Sequence, residues 1–334
     1  MPLITERQAV LNVYAGAAQR GWVVPTFCTE NLTTTEAILA ATHDYARRRD
    51  LRQAPVCVAI TNLYSHRSQS VNYTHTRQWQ TGLKLFLADL AVLAEPRSPF
   101  ADLDILVHLD HVQWDADTAL LEGDLSLFSS IMYDASSLPI RDNIARTADF
   151  MARRGKQIVV EGACDEIVDA GGQAQTQLTS PETAREYAAA TGVDFVVANL
   201  GTEHRASAAD LKYHGDAARQ ISRLIGPKLV LHGASSVSGD HIRTLFADGV
   251  RKVNIWTTLE RDSAPAMLTG LLKNAGKVVG PAEAEKLYRE GLLGERADRI
   301  GPRSLSHFAT CARQQTVFEA MKRIVGDFLE LFYV

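Results

Sequence analysis

Apolar positions along the chain fall into two rhythms. Short continuous apolar runs read as strands buried on both faces, and stretches with apolar residues every three or four positions read as amphipathic helices. Thr5 to Gln19 predicts a helix with Thr5 as N-cap and Val10, Leu11 and Tyr14 on one face; Gly21 ends it. Trp22–Phe27 is the first strand. Thr33-Thr34-Thr35-Glu36 caps a helix to about Arg49, and Val56–Ile60 is the second strand. A polar loop from Thr61 to Val71 leads into a long helix carrying Leu83, Leu85, Phe86, Leu87 and Leu90, closed by Pro96 and Pro99. Ile105 to His111 is the third strand, and a short helix covers about Asp115 to Glu122.

Leu127–Met132 is the fourth strand, followed by a helix from Pro139 to about Arg154, and Gln157–Glu161 is the fifth. Ser180-Pro181 opens the next helix, with Pro at its first position. Asp194–Asn199 is the sixth strand, Asp210 to Ile225 a helix, Lys228–Leu231 the seventh strand, Asp240 to Ala247 a short helix, and Val250–Ile255 the eighth strand. This alternation predicts an α/β fold, a (β/α)8 TIM barrel, over about residues 20–260. A doubly wound sheet would carry a Gly-rich loop after its first strand, and none is present. A helical extension of about residues 261–334 continues the barrel within a single domain, 1–334: after strand eight come Thr258 to Val279, a Gly/Pro-punctuated segment to about Arg303, and a closing helix ending in Phe328-Leu329-Glu330-Leu331-Phe332. The closing helix is apolar enough to pack on the barrel or on another subunit.

Composition narrows the class. With 35 Lys and Arg against 39 Asp and Glu, the net charge of −4 gives no reason to expect nucleic acid or an anionic membrane as partner. Cys28, Cys57, Cys164 and Cys311 are scattered without a CxxC pair, which fits a reducing cytoplasm. The segment Met1–Arg7 lacks the apolar core of a signal peptide, and no apolar run approaches the ~18 residues of a membrane span. The expectation is a soluble, cytoplasmic protein.

The chemistry gathers at strand ends. The third strand ends in His108-Leu109-Asp110-His111, the sixth runs on to Glu203-His204, and the seventh ends at His232. Barrel active sites lie at the C-terminal ends of the strands, and three imidazoles with an open position make a typical catalytic zinc site. His111, His204 and His232 are therefore candidate ligands for one Zn2+ per chain. His43, His66, His75, His214, His241 and His307 fall on helices, loops or polar surroundings. His108 shares a strand face with Asp110 by alternation and reads as a packed barrel residue.

These segments together resemble the class II, metal-dependent fructose-bisphosphate and tagatose-bisphosphate aldolase family. His108-Leu109-Asp110-His111 is similar to its HLDH. Thr191-Gly192-Val193-Asp194 with Gly201-Thr202-Glu203-His204 is similar to TGVD…GTxH. Leu231-His232-Gly233-Ala234-Ser235 resembles LHGGS, and Lys252-Val253-Asn254-Ile255 resembles KVNI. Weaker echoes are Pro25-Thr26-Phe27 with Asn31 for PAFNxxN, and Ile131–Ser136 for the MxDxS strand. The match covers Val23 to about Thr258.

The resemblance implies zinc on His111, His204 and His232, stabilising an enediolate as a Lewis acid, with Asp110 as general acid/base at the C4 hydroxyl. It places Asn254 on the ketose fragment and Asn31 among the substrate contacts. It implies that Gly233, Ser235 and Thr257 hold a phosphate, and that the substrate is a ketose or sugar phosphate bound by a homodimer or homotetramer. Departures fall around the substrate's ends. Arg205 stands where the family has Gly, which either blocks a close backbone approach or supplies a cation for a phosphate or carboxylate. Gly233-Ala234-Ser235-Ser236 replaces GGSG, and Trp256 replaces a smaller residue. Glu161-Gly162-Ala163-Cys164-Asp165 replaces ExELG, leaving Asp165, Glu166 and Asp169 as loop carboxylates for a second proton transfer. A zinc-dependent epimerase using the same enediolate chemistry and a non-catalytic metal-dependent sugar-binding protein are the alternatives. A zinc hydrolase is disfavoured, since strand one ends in Thr26-Phe27-Cys28 rather than an H-x-H pair.

Overall fold

The computed structural model describes residues 3–165, 178–202, 213–233, 237 and 239–333. Parallel strands β1 (Val24–Cys28), β2 (Pro55–Thr61), β3 (Asp104–Gln113), β4 (Ser130–Asp134), β5 (Val159–Ala163), β6 (Phe195–Val197), β7 (Leu229–Leu231) and β8 (Val250–Ile255) close into a barrel in sequence order. Helices α1 (Arg7–Gln19), α2 (Leu32–Arg48), α3 (Gln69–Asn72) and α4 (Trp79–Leu93) belong to the first half. They are followed by α5 (Thr118–Leu121), α6 (Ile140–Arg154), α7 (Pro181–Thr191), α8 (Gly215–Ile225) and α9 (Gly239–Ile242). Beyond β8 come α10 (Thr257–Lys273), α11 (Ala275–Val279), α12 (Pro281–Arg289), α13 (Leu305–Phe308) and α14 (Thr310–Phe332). The expected (β/α)8 architecture is the one observed.

Several boundaries differ from the sequence reading, each for a local reason. Glu6, not Thr5, caps α1, because its carboxylate reaches the amides of Gln8 and Ala9 at 2.9 and 2.7 Å. Asn31 caps α2 two residues earlier than the threonine run, its side chain accepting from Thr34 N at 3.2 Å. Strand β4 begins at Ser130 rather than Leu127. Leu127 is exposed, and Ser129 instead clips onto β3, exchanging bonds of 2.7 Å with the Val107 carbonyl and amide. Strand β5 runs on to Ala163 because Gly162 faces α7 without a side chain; a Cβ there would lie 2.5 Å from the Tyr187 hydroxyl. Within the segment Thr258 to Val279 the chain forms two helices that meet at Asn274, whose side chain donates to the Gly270 carbonyl at 3.0 Å.

Helix α14 docks on the barrel. Its buried positions Ala320, Met321, Ile324, Val325, Phe328, Leu329 and Phe332 follow the helical repeat. At its end Tyr333 stacks on Trp22 with 4.5 Å between ring centroids and accepts the Tyr45 hydroxyl proton on its carbonyl at 2.7 Å. No described helix is long and apolar enough to cross a membrane.

The barrel interior is polar toward the C-terminal end. Alternation on β3 and β8 turns His108, Asp110, Lys252 and Asn254 inward. Lys252 Nζ sits 2.7 Å from Glu161 Oε1, and both side chains are fully buried. His108 Nε2 lies 3.6 Å from Glu161 and 3.7 Å from Asp110, while its Nδ1 is bonded to Ser130 Oγ at 2.8 Å. Removing one partner of a buried ion pair strands the other charge in a low-dielectric interior. Lys252→Met is therefore expected to cost about 3–5 kcal/mol, read as a fall in the urea denaturation midpoint. Lys252→Met with Glu161→Leu removes both charges and should recover most of that loss. A double variant no more stable than the single one would show that the pair is not what holds this layer.

Candidate active site

Adjacent residues in a regular strand face opposite sides of the sheet, so Asp110 and His111 cannot both enter one pocket from an unbroken β3. The structure resolves this with a bulge. Leu109 pairs with Ile131 and Val112 with Tyr133, so two residues of β3 oppose one of β4, and His111 takes a left-handed backbone with φ of 46°. Gln113 holds the bulge, its Nε2 donating at 3.1 Å both to the His111 carbonyl and to Asp134 Oδ2.

The result is a buried cluster. One ligand atom each from Asp110, His111 and His232 lie within 4.8 Å of one another. The His111 and His232 rings meet edge to face at 4.8 Å between centroids. Asp134, at the end of β4, accepts from His111 Nδ1 at 2.8 Å, which makes Nε2 the ring nitrogen able to coordinate. Asp134 is itself oriented by the Ser136 amide at 3.1 Å and hydroxyl at 2.6 Å. Tyr64, from the loop after β2, stacks on the His111 face with 4.2 Å between centroids and 4° between planes.

Electrostatics suit a cation. Burial pushes the Asp110 carboxyl up, but His111, His108 and His232 outweigh it and hold it well below the usual carboxylate range. Burial likewise pushes the His111 imidazole down, and Asp110 and Asp134 reverse this and raise it. Two imidazoles set among buried carboxylates make an N/O donor set of the kind that holds zinc, so the residues present fit that ion.

Asp110 is itself gripped from two strands. Asn254 Nδ2 donates to its Oδ1 at 2.8 Å and Cys28 Sγ to its Oδ2 at 3.4 Å. Of the other residues marked in the sequence, Gly233 follows His232 with a left-handed φ of 68°, and Thr257 opens α10 beside Asn254. Asn31 uses its side chain as the α2 cap. His204, Arg205 and Ser235 lie outside the described residues, as do Glu166 and Asp169. Asp165 accepts the Thr179 hydroxyl. Cys28, Tyr64 and Asp134 were not singled out for the site. Of these only Asp134 had a visible signal, an acid at the end of a buried strand.

Comparison with known proteins places this geometry. The family model for fructose-bisphosphate aldolase class-II matches residues 8–326. A D-tagatose-1,6-bisphosphate aldolase subunit, GatY, of Klebsiella oxytoca is 29% identical over 258 residues, covering 75% of this chain and 81% of that protein. Among solved structures, the fructose-bisphosphate aldolase of Campylobacter jejuni superposes with a TM-score of 0.68 at 17% identity, covering 99% of this chain and 95% of that one. The YdjI aldolase of Escherichia coli K12 gives 0.64 at 18% identity, covering 98% and 97%.

The thiols give a direct test of how closed the site is. Cys28, Cys57 and Cys164 are buried and Cys311 is exposed. Burial pushes all three buried thiols up, Cys57 to about 12. At pH 8 the native protein is expected to present one rapidly reacting thiol, Cys311, to Ellman's reagent, and all four only in denaturant. Rapid labelling of Cys28 would show that β1 opens away from Asp110.

Proposed function

The chain belongs to the class-II fructose-bisphosphate aldolase family, and on that footing we propose a zinc-dependent retro-aldol reaction for it. As an aldolase it is a carbon–carbon lyase. The substrate is a phosphorylated ketose, cleaved reversibly to a dihydroxyacetone phosphate-type fragment and an aldehyde. Zinc is held by His111 and His232 with His204 as the third ligand, one ion per chain. The observation that carries this reading is the bulge at His111, which delivers a carboxylate and an imidazole to one buried pocket beside His232.

Zinc, when bound, supplies Lewis acidity at the ketose carbonyl. The chain's own residues supply the rest. Asp110 takes the proton of the C4 hydroxyl as the C3–C4 bond breaks. The bond's electron pair passes to C3 and the adjoining carbonyl, the C4 oxygen leaves as the aldehyde, and a proton delivered to C3 releases the ketone fragment. Asn254 and Cys28 hold the two Asp110 oxygens in place, so the base does not swing away. Gly233, Ser235 and Thr257 take the phosphate of the ketone fragment, with Arg205 as an added cation. The reading extends to a homodimer or homotetramer acting in the cytoplasm. Apolar Leu268 and Leu272, exposed on α10, and the unpaired thiols support it.

A coupled retro-aldol assay over phosphorylated ketoses, with and without chelator, tests the activity. Loss of turnover with chelator and its return with Zn2+ are expected; cleavage that survives full metal removal would refute the zinc assignment. Asp110→Asn should lower kcat by about 10²–10⁴ while metal content is kept. Metal loss in that variant would make Asp110 a ligand instead of the base. Asp134→Asn should weaken zinc about 10–100-fold in competition with a chromophoric chelator, since the His111 ring loses its orienting carboxylate.

A further inference from the structure

One cluster at the barrel mouth has no part in the chemistry described above. Strands β1 and β8 pair with Thr26 opposite Asn254, and each sends one residue, Cys28 or Asn254, to Asp110. Further along each chain, Trp256 Nε1 donates to Glu30 Oε1 at 2.8 Å, bridging the same two strands. Glu30 and Trp256 each stand two positions past the residue that holds Asp110, beyond the ends of β1 and β8, so the bridge lies past those contacts toward the barrel mouth.

Glu30 is 8% exposed and collects every donor around it. Its Oε1 also accepts Gln69 Nε2 and Arg67 Nε at 3.1 Å, and its Oε2 accepts Arg67 Nε at 3.1 Å and pairs with Arg67 Nη2. Arg67 lies over the Trp256 ring at 5.9 Å. The guanidinium is thus already neutralised. A second carboxylate, Glu260, stands in the first turn of α10, where burial first and then the Glu30 charge push it up to about 7, against a smaller opposing pull from Arg67. The Glu260 amide is bonded to the Trp256 carbonyl at 3.3 Å, so the wall counts two carboxylates to one guanidinium and is neutral or negative, never positive. A phosphate needs cationic forks or converging amides. Nothing among these four side chains offers a cation beyond the one Glu30 holds.

We propose that the wall of Glu30, Arg67, Trp256 and Glu260 receives the aldehyde fragment and selects an uncharged hydroxyaldehyde over its phosphate ester. This rests on the reading of Asp110 as the acid/base. The oxygen that Asp110 protonates is the aldehyde oxygen, and the bridge stands just past the Cys28 and Asn254 contacts to Asp110, so on this proposal the rest of that fragment runs toward the bridge, with the ketone-fragment phosphate on the far side of Asp110. The substrate is then a ketose with one phosphate, on the ketone fragment. The wall's hydrogen-bonding edges, the Trp256 face and the Glu260 carboxyl suit hydroxyl groups.

The test runs in the direction of carbon–carbon bond formation. Metal-loaded enzyme is given dihydroxyacetone phosphate and either glyceraldehyde or glyceraldehyde 3-phosphate, and kcat/KM is measured for each aldehyde. Dihydroxyacetone phosphate gives up a C3 proton to a base, the resulting carbanion equivalent attacks the aldehyde carbon, and Asp110, which enters this direction protonated, gives its proton to the new alkoxide. The unphosphorylated aldehyde is expected to win by about tenfold or more, because opposed like charges at a binding surface are costly. Glu30→Gln, which releases the Arg67 charge, and Glu260→Gln, which removes a carboxylate, should each narrow the ratio. A preference for glyceraldehyde 3-phosphate, or a ratio that neither variant moves, would overturn the proposal while leaving the aldolase reading intact. No addition to either aldehyde by metal-loaded enzyme would remove the Asp110 reading and the proposal with it.

Discussion

The left-handed backbone at His111 is the constraint on which the site depends. A β3 strand without the bulge would send either Asp110 or His111 outward against the helices, and the pocket would lose a carboxylate or an imidazole. A non-glycine residue in this conformation costs about 1–3 kcal/mol and persists only where its surroundings over-determine it. Here they do. Asp134 fixes the ring at Nδ1, Tyr64 lies flat on its face, and Gln113 ties its carbonyl to Asp134. Three elements, β4, the loop after β2 and the end of β3, hold one strained residue in place.

Below the bulge, the interior carries a column of charged and polar groups instead of the branched aliphatic layers typical of such barrels. Lys252, Glu161 and His108 occupy consecutive contacts leading to Asp110. A buried ion pair is weak evidence for stability. Its value here is positional: it keeps the His108 ring in one orientation against Ser130 and places its Nε2 between two carboxylates. Asp110 therefore meets a fixed polar floor, with Asn254 and Cys28 as fixed walls. A carboxylate held this way would need little reorganisation during the proton transfer proposed for it.

How much of this was legible in the sequence follows from whether a feature is carried by pattern or by proximity. The barrel was legible because buried parallel strands are continuous apolar runs, and His111, Asp110 and His232 were legible because they end such runs. Asn254 was legible through the resemblance of its strand. The partners were not. Tyr64 lies in a polar loop with no periodicity, and Cys28 looks like any buried thiol until β1 is laid beside β3. Strand β4 was placed early because Leu127 and Phe128 continue the apolar run, whereas the Ser129 clip to Val107 decides where pairing starts. Asn31 was marked for the substrate through its likeness to PAFNxxN; at the same place a helix needs a cap.

That last position shows how the two halves of the site are built. The groups to which the chemistry is assigned in the proposed function, Asp110, His111 and His232, stand on or just past strand ends, where barrel closure fixes them. Glu30, Arg67 and Trp256 stand in the short segments just before α2, α3 and α10, where the chain turns from strand or loop into helix. Asn31, with its extended backbone and its bond to Thr34 N, fixes the angle at which α2 leaves β1, and so fixes Glu30 one residue earlier. A helix cap thereby fixes the position of the Glu30 carboxylate and of the Arg67 and Trp256 groups bonded to it. Residues at helix starts are free to change as long as the cap survives, whereas Asp110 and His111 are bound to a bulge whose register involves β3 and β4 together. The departures from the family pattern, Trp256 among them, accordingly collect away from the bulge, which keeps its carboxylate and imidazole whole.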